Sequence, residues 1–145
     1  LLPDELDAVL GMNAVSGDNL SPHHMPSAHS ILENEGMNPS YGACSNVMTD
    51  THKNTFTYGM NNRTRRYDMA LYESLSYEDR LVFDQYDLQR VYAESRPNVD
   101  MDIVKSKLKE EYDMAMGMRE VKESLTLEGE QDMRNIEEMK EEGCR

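Results

Sequence analysis

The chain has 145 residues, of which 28 are acidic and 15 basic, so its formal net charge is -13. Leu, Ile, Val and Phe together number 26, about 18% of the chain, a fraction typical of disordered proteins at such a charge. Twelve Met partly compensate for this thin apolar content. No apolar run approaches the length of a transmembrane helix, and the acidic balance argues against nucleic acid as a partner, because phosphate contacts need a basic surface.

The chain divides near residue 62 into two physically different halves. Residues 1–66 carry a net charge of -3 and residues 67–145 a net charge of -10. Residues 11–62 hold 26 Gly, Pro, Ser, Thr or Asn, which are typical of turns and loops. We therefore interpret residues 1–62 as an extended, loop-rich N-terminal arm laid across partner surfaces, and residues 63–145 as an acidic helical region. The alternative is an arm that packs on the chain's own helices.

Within the N-terminal arm, one or two short helices are predicted. Asp4 follows Pro3 and can cap a helix over residues 4–10. A second helix is predicted over residues 27–35, with its apolar pair Ile31–Leu32 facing inward. The run Thr55–Tyr58 predicts a brief extended segment.

The acidic region is predicted to hold three to four helices. The first spans about residues 64–75, because apolar residues recur there every four positions: Tyr67, Leu71 and Leu75. Ser76 resembles the cap of a second helix, which Pro97 prevents from continuing.

The strongest helical pattern begins near residue 100. Its apolar positions have the spacing of one buried stripe: Met101, Val104, Leu108, Tyr112 and Ala115. The charged residues between them, Glu111 included, predict a solvated opposite face. Gly129 is the expected boundary, followed by a thin last helix that is frayed or clamped by another chain. The predicted fold class is mainly α, a small helical bundle or helical hairpin packed on partner chains.

A group of possible metal ligands lies in the arm: His23, His24, His29, Cys44 and His52. Paired zinc ligands stand two to five residues apart, and four residues separate His24 from His29. Cys44 and His52 are too distant to make a second pair by themselves. Polar loop residues that hydrogen-bond to their neighbours are the simpler interpretation, so we predict no metal site and keep these five as weak candidates.

Two further groups are candidate partner contacts. Arg63, Arg65 and Arg66 form the basic cluster, which can pair with carboxylates of this chain or of a partner. A second group consists of methionines, whose flexible side chains suit adaptable contact surfaces: Met114, Met116 and Met118. The sequence has no nucleophile–base, phosphate-loop or calcium-loop motif, so we predict no catalytic residue and no cofactor.

These observations predict a non-catalytic structural subunit of a large multi-protein assembly, ordered by the neighbouring subunits that it bridges. Of the candidate assemblies we slightly favour a viral particle over an organellar or membrane-associated complex, in which the chain would be an accessory subunit. Two alternatives are an acidic binding or inhibitor module that mimics nucleic acid, and a small metal-stabilised protein. The two Cys lie too far apart for a disulfide framework, which favours an intracellular location, or one within a particle, over secretion.

Overall fold

The computed structural model describes residues 1–14, 19–59 and 66–143, with the side chains of residues 66, 67 and 124–143 left undescribed. The strands are β1 (Ala8–Leu10), β2 (Leu20–His24) and β3 (Ala43–Met48). The α-helices are α1 (Ala28–Glu35), α2 (Thr49–Lys53), α3 (Arg66–Ser74), α4 (Tyr77–Ser95) and α5 (Met101–Gly143). Short 3-10 turns lie at Gly11–Asn13 and Pro39–Tyr41. The chain is mostly helical, as predicted.

The N-terminal arm contains a three-stranded antiparallel sheet, so its prediction as an irregular segment is wrong. The strand order is β1-β3-β2, and Ser45 of the central strand pairs with Ala8 on one side and His23 on the other. Pro22 lies in an edge strand, where a missing N–H costs no ladder hydrogen bond. The pairing is non-local, which is why the sequence shows no hairpin signal.

Both halves of the chain contribute to one hydrophobic core. The N-terminal arm supplies four of its buried side chains, and α4 and α5 supply the rest: Leu6, Met25, Ala43, Val47, Leu81, Leu88, Tyr92, Val104, Leu108 and Ala115. The arm therefore packs on the chain's own helices, which was the alternative to an arm on partner surfaces. The predicted boundary near residue 62 lies outside the described residues.

Contacts with α4 and with the sheet hold the N-terminal segment in place. The fully buried Glu5 carboxylate accepts a hydrogen bond from the Tyr92 hydroxyl at 2.6 Å and pairs with Arg96. The Leu6 N–H donates to the carbonyl of Asn46 at 2.6 Å. The helix predicted over residues 4–10 is absent, because Leu6 has a left-handed φ of 66° and the next residues join the sheet.

The predicted helices α1 and α4 are confirmed, and capping residues close to each helix mark their ends. The Ser27 and Ser76 hydroxyls accept the first capping hydrogen bonds, and Gly36 ends α1 at a φ of 62°. The inward position predicted for Leu32 is wrong, since its side chain is 49% exposed. The extended segment predicted over 55–58 is also wrong, because these residues form turns.

Helix α5 is one continuous helix of 43 residues. It passes through Gly117 and Gly129, so the predicted boundary at Gly129 is wrong; one glycine costs a helix only about 1 kcal/mol. The buried stripe is confirmed at Val104, Leu108 and Ala115, whereas Glu111 is fully buried rather than solvated. Across the described ranges, none of the helices is both long and apolar enough to span a membrane.

Candidate functional site

An apolar groove lies on the surface between α3 and α4, beside the turn that follows α2. Its cavity measures about 490 Å³. The lining is apolar or aromatic apart from one carboxylate and one hydroxyl: Phe56, Asp68, Leu71, Tyr72, Ser74, Leu75 and Phe83. We call this surface the α3–α4 groove.

Three aromatic rings form the wall and floor of the α3–α4 groove. The Phe56 and Phe83 ring centroids lie 5.0 Å apart at 72°, and the Tyr72 and Phe83 centroids lie 5.6 Å apart at 65°. Edge-to-face pairs at these distances are favourable. The Tyr72 hydroxyl donates to Asp84 Oδ2 at 2.6 Å and accepts from the Ser27 N–H at 3.0 Å. The floor is therefore held rigidly from the interior.

The rim of the α3–α4 groove exposes large apolar side chains. Leu71 is 53% exposed and Phe83 is 38% exposed. Tyr86, three residues after Phe83 on α4, is 68% exposed. The spacing of apolar residues predicts this helix correctly, but the buried residue at this point is Tyr72 and not its neighbour Leu71.

The four histidines of the arm lie around a second, smaller cavity of about 320 Å³. The His23 and His52 ring centroids are 5.2 Å apart, and His52 Nδ1 lies 3.2 Å from the Ser21 hydroxyl. The ring of His24 donates from Nε2 to the Pro39 carbonyl at 2.9 Å. His29 lies at the exposed edge of the cavity.

Burial disfavours the charged form of three of these histidines, His23, His24 and His52. Desolvation lowers the pKa of His23 to about 3, and the nearby His52 and His24 lower it further. Burial also lowers the pKa values of His24 and His52, against a backbone hydrogen bond that raises that of His24. Within the described ranges, no three His, Cys, Asp or Glu side chains are placed to hold a metal ion. The four histidines singled out in the sequence therefore line one cavity, but the described side chains there are not arranged to hold a metal ion.

Cys44, the fifth weak metal candidate, lies apart from the histidine cavity. It is buried in β3, opposite His24 in the strand register. Burial raises the pKa of its thiol to about 12, and the neighbouring Glu111 raises it further. This environment disfavours the thiolate, which is the form that acts as a nucleophile or metal ligand.

Sequence reasoning missed a cluster of buried ionisable side chains between α1, α4 and α5. Arg80 is 2% exposed, pairs with Glu35 and donates to the Leu75 carbonyl at 2.9 Å. Desolvation raises the pKa values of Asp84 and Glu111 well above their usual range. Gln85 donates to Glu111 Oε1 at 3.0 Å. These ionisable residues have the same spacing along their helices as exposed charged residues have, so the sequence around them does not show that they are buried.

The predicted partner contacts divide into two groups. Met114 and Met116 pack against the chain's own core, and Met118 is half-buried. Their role as partner contacts stays a prediction. Arg63 and Arg65 lie outside the described residues, as does the side chain of Arg66, whose backbone begins α3.

The fold and surfaces define a small helical domain with a short antiparallel sheet and one long C-terminal helix. No protein-family model matches the chain, and no curated protein or solved structure shows significant similarity to it.

Proposed function

We propose that the chain is a non-catalytic structural subunit of a multi-protein assembly, which it joins through helix α5. The observation that carries this proposal is the length of the helix, 43 residues from Met101 to Gly143. At 1.5 Å per residue it measures about 64 Å. A compact domain of about 100 residues has a radius of gyration of about 13 Å. The helix is about five times as long as this radius, so it exceeds the diameter of the body on which it packs.

The first half of α5 is supported by the body of the domain. The Tyr77 hydroxyl donates to the Ala115 carbonyl at 2.7 Å, and the Arg119 guanidinium lies 5.5 Å from the Tyr77 ring centroid. The chain exposes 9094 Å² of surface, whereas a compact monomer of its mass exposes about 7,600 Å². Because an isolated helix is marginal in water, a helix longer than the body on which it packs favours a second chain as its support.

The shared core of arm and helices limits which parts of the chain the proposal assigns to partner contacts. Residues of the arm are buried against α4 and α5, which supports their ordering by the chain's own core. The partner-dependent part of the proposal therefore concerns the far half of α5 and exposed surfaces of the body. The preference for a viral particle over an organellar complex stays a prediction.

The test is to isolate the full chain, tagged at its N-terminus, from its natural source, and to analyse its complexes by native mass spectrometry. We expect defined proteins in fixed stoichiometry. A variant that ends at Glu123 should retain the melting temperature of the body and lose at least one partner. A full-length chain that is monomeric in its source, or a truncated chain that keeps the same partners, would contradict the proposal.

A further inference from the structure

We propose that the α3–α4 groove binds a cationic amphipathic helix of a partner protein. This inference rests on the proposed function, since it assumes that the chain docks to other proteins. It adds a second surface, separate from the far half of α5, and it assigns the chemistry of the partner there.

The shape of the groove fits a helix with bulky apolar anchors. Residues of two helices line it, and the half-exposed Leu71 and Phe83 border the same apolar cavity of about 490 Å³. An amphipathic helix enters such a groove through apolar residues spaced three to four positions apart. Tyr86 continues the apolar surface by about one turn of α4.

The groove is preorganised for binding. Tyr72 is fixed by hydrogen bonds to Asp84 and Ser27. The N–H of Phe56 donates to Asp87 Oδ2 at 2.8 Å. Because the floor is already ordered, binding loses little conformational entropy on this side of the interface.

Charge determines the kind of helix that fits. Asp68 lines the groove one turn before Leu71 on α3, and Asp79 lies one turn before Phe83 on α4. Neither carboxylate forms an ion pair with a side chain that the structure describes, and the described residues of the lining include no Lys or Arg. With a net charge of -13, a second copy or a nucleic acid is repelled, whereas Lys or Arg beside the apolar anchors is attracted.

The experiment uses the full chain and a synthetic amphipathic peptide of about five helical turns. One face of the peptide carries Leu and Phe and the other Lys; a second peptide replaces every Lys by Glu. Fluorescence anisotropy measures affinity, and amide chemical shifts locate the contact. We expect the Lys peptide to bind about tenfold or more tightly than the Glu peptide and to shift amides of α3 and α4.

Two matched pairs of variants separate groove binding from general charge attraction. Leu71→Ser should weaken binding of the Lys peptide about tenfold, whereas Ile103→Ser, at a similarly exposed site on α5, should leave it unchanged. Asp68→Asn should weaken binding about threefold and reduce its salt dependence, whereas Glu110→Gln should not. Both groove residues are exposed, so the variants should fold normally.

Three outcomes overturn the inference: no binding of the Lys peptide, equal binding by groove and control variants, or a dimer by light scattering that Leu71→Ser dissociates. The last would make a second copy the occupant. A groove that binds the peptide in a chain with no stoichiometric partner in its source would contradict the proposed function and the partner protein as occupant, while the groove's preference for a cationic helix would stand. A chain that needs α5 for its complexes but binds no peptide would contradict the groove alone.

Discussion

At the scale of single residues, burial of ionisable groups is the main departure from the sequence-based picture. Glu111 was expected on a solvated face and His23 in a loop, yet both are at most 2% exposed, as is Asp84. Their neighbours in the fold, which lie far away in sequence, determine their protonation. Two of them provide predictions with opposite pH dependence.

Replacing Glu111 by Gln should stabilise the chain at alkaline pH. Burial raises the pKa of Glu111, so the folded state holds its proton more tightly than the unfolded state, and this contribution to stability is lost as pH rises. Gln keeps the acceptor for Gln85 without the charge. We expect a gain on the order of 1 kcal/mol at pH 8 and less at pH 5, measured by urea unfolding. The exposed neighbour, as Glu110→Gln, should show no such pH-dependent gain.

His23 should make the fold sensitive to acid. Its folded pKa of about 3 lies below that of an unfolded histidine, about 6.5, so the stability that it contributes is lost as pH falls between these values. The loss is on the order of 1.4 kcal/mol per pH unit. In urea titrations from pH 6.5 to 4.5, His23→Gln should flatten this dependence, and the exposed His29→Gln should not. Parallel slopes for wild type and His23→Gln would disprove this account.

At the scale of elements, a helix or strand could be predicted from the sequence where the residues that determine its ends lie close to it in sequence. Ser27 and Gly36 delimit α1, and Ser76 and Pro97 delimit α4, through contacts within a few residues of each end. The sheet was missed because β1 has three residues and pairs with a strand more than 30 positions away. The groove was missed for a related reason: Phe56 reaches it from a turn.

Two glycines should respond oppositely to alanine. Gly36→Ala should destabilise the chain by about 1 kcal/mol, because φ at this helix end is 62°, where a Cβ is disfavoured. Gly117→Ala should stabilise it by up to about 1 kcal/mol, since the position is helical and a Cβ there meets no atom within 4 Å. Thermal unfolding followed by circular dichroism compares the two. Equal effects of the same sign would contradict the backbone argument.

At the scale of the whole molecule, the N-terminal segment ties the sheet to the end of α4. Glu5 is fully buried, and hydrogen bonds from Arg96, Tyr92 and the Leu2 N–H lower its pKa although desolvation raises it. This contribution to stability is present above the unfolded pKa and is lost as pH falls through the folded one. The contact joins parts of the chain that no sequence pattern relates.

Glu5→Gln should therefore loosen one edge of the molecule. We expect a loss of about 3 kcal/mol, at the low end for a broken buried ion pair because Arg96 is 31% exposed. Asp7→Asn, which removes the half-exposed ion pair with Lys107, should cost less than about 1 kcal/mol. Urea unfolding gives both values, and amide exchange should accelerate in β1 only for Glu5→Gln. A loss no larger than that of Asp7→Asn would show that this contact contributes little.

The continuity of α5 has a geometric consequence for any protein bound near its C-terminal end. Each residue advances the helix by 1.5 Å and turns it by 100°, so a single insertion beyond residue 123 would point the bound partner in a different direction from the body. An insertion of seven residues would lengthen the spacing by about 10 Å and change the direction by only about 20°. The helix thus sets both the separation and the relative orientation of what is attached at its two ends.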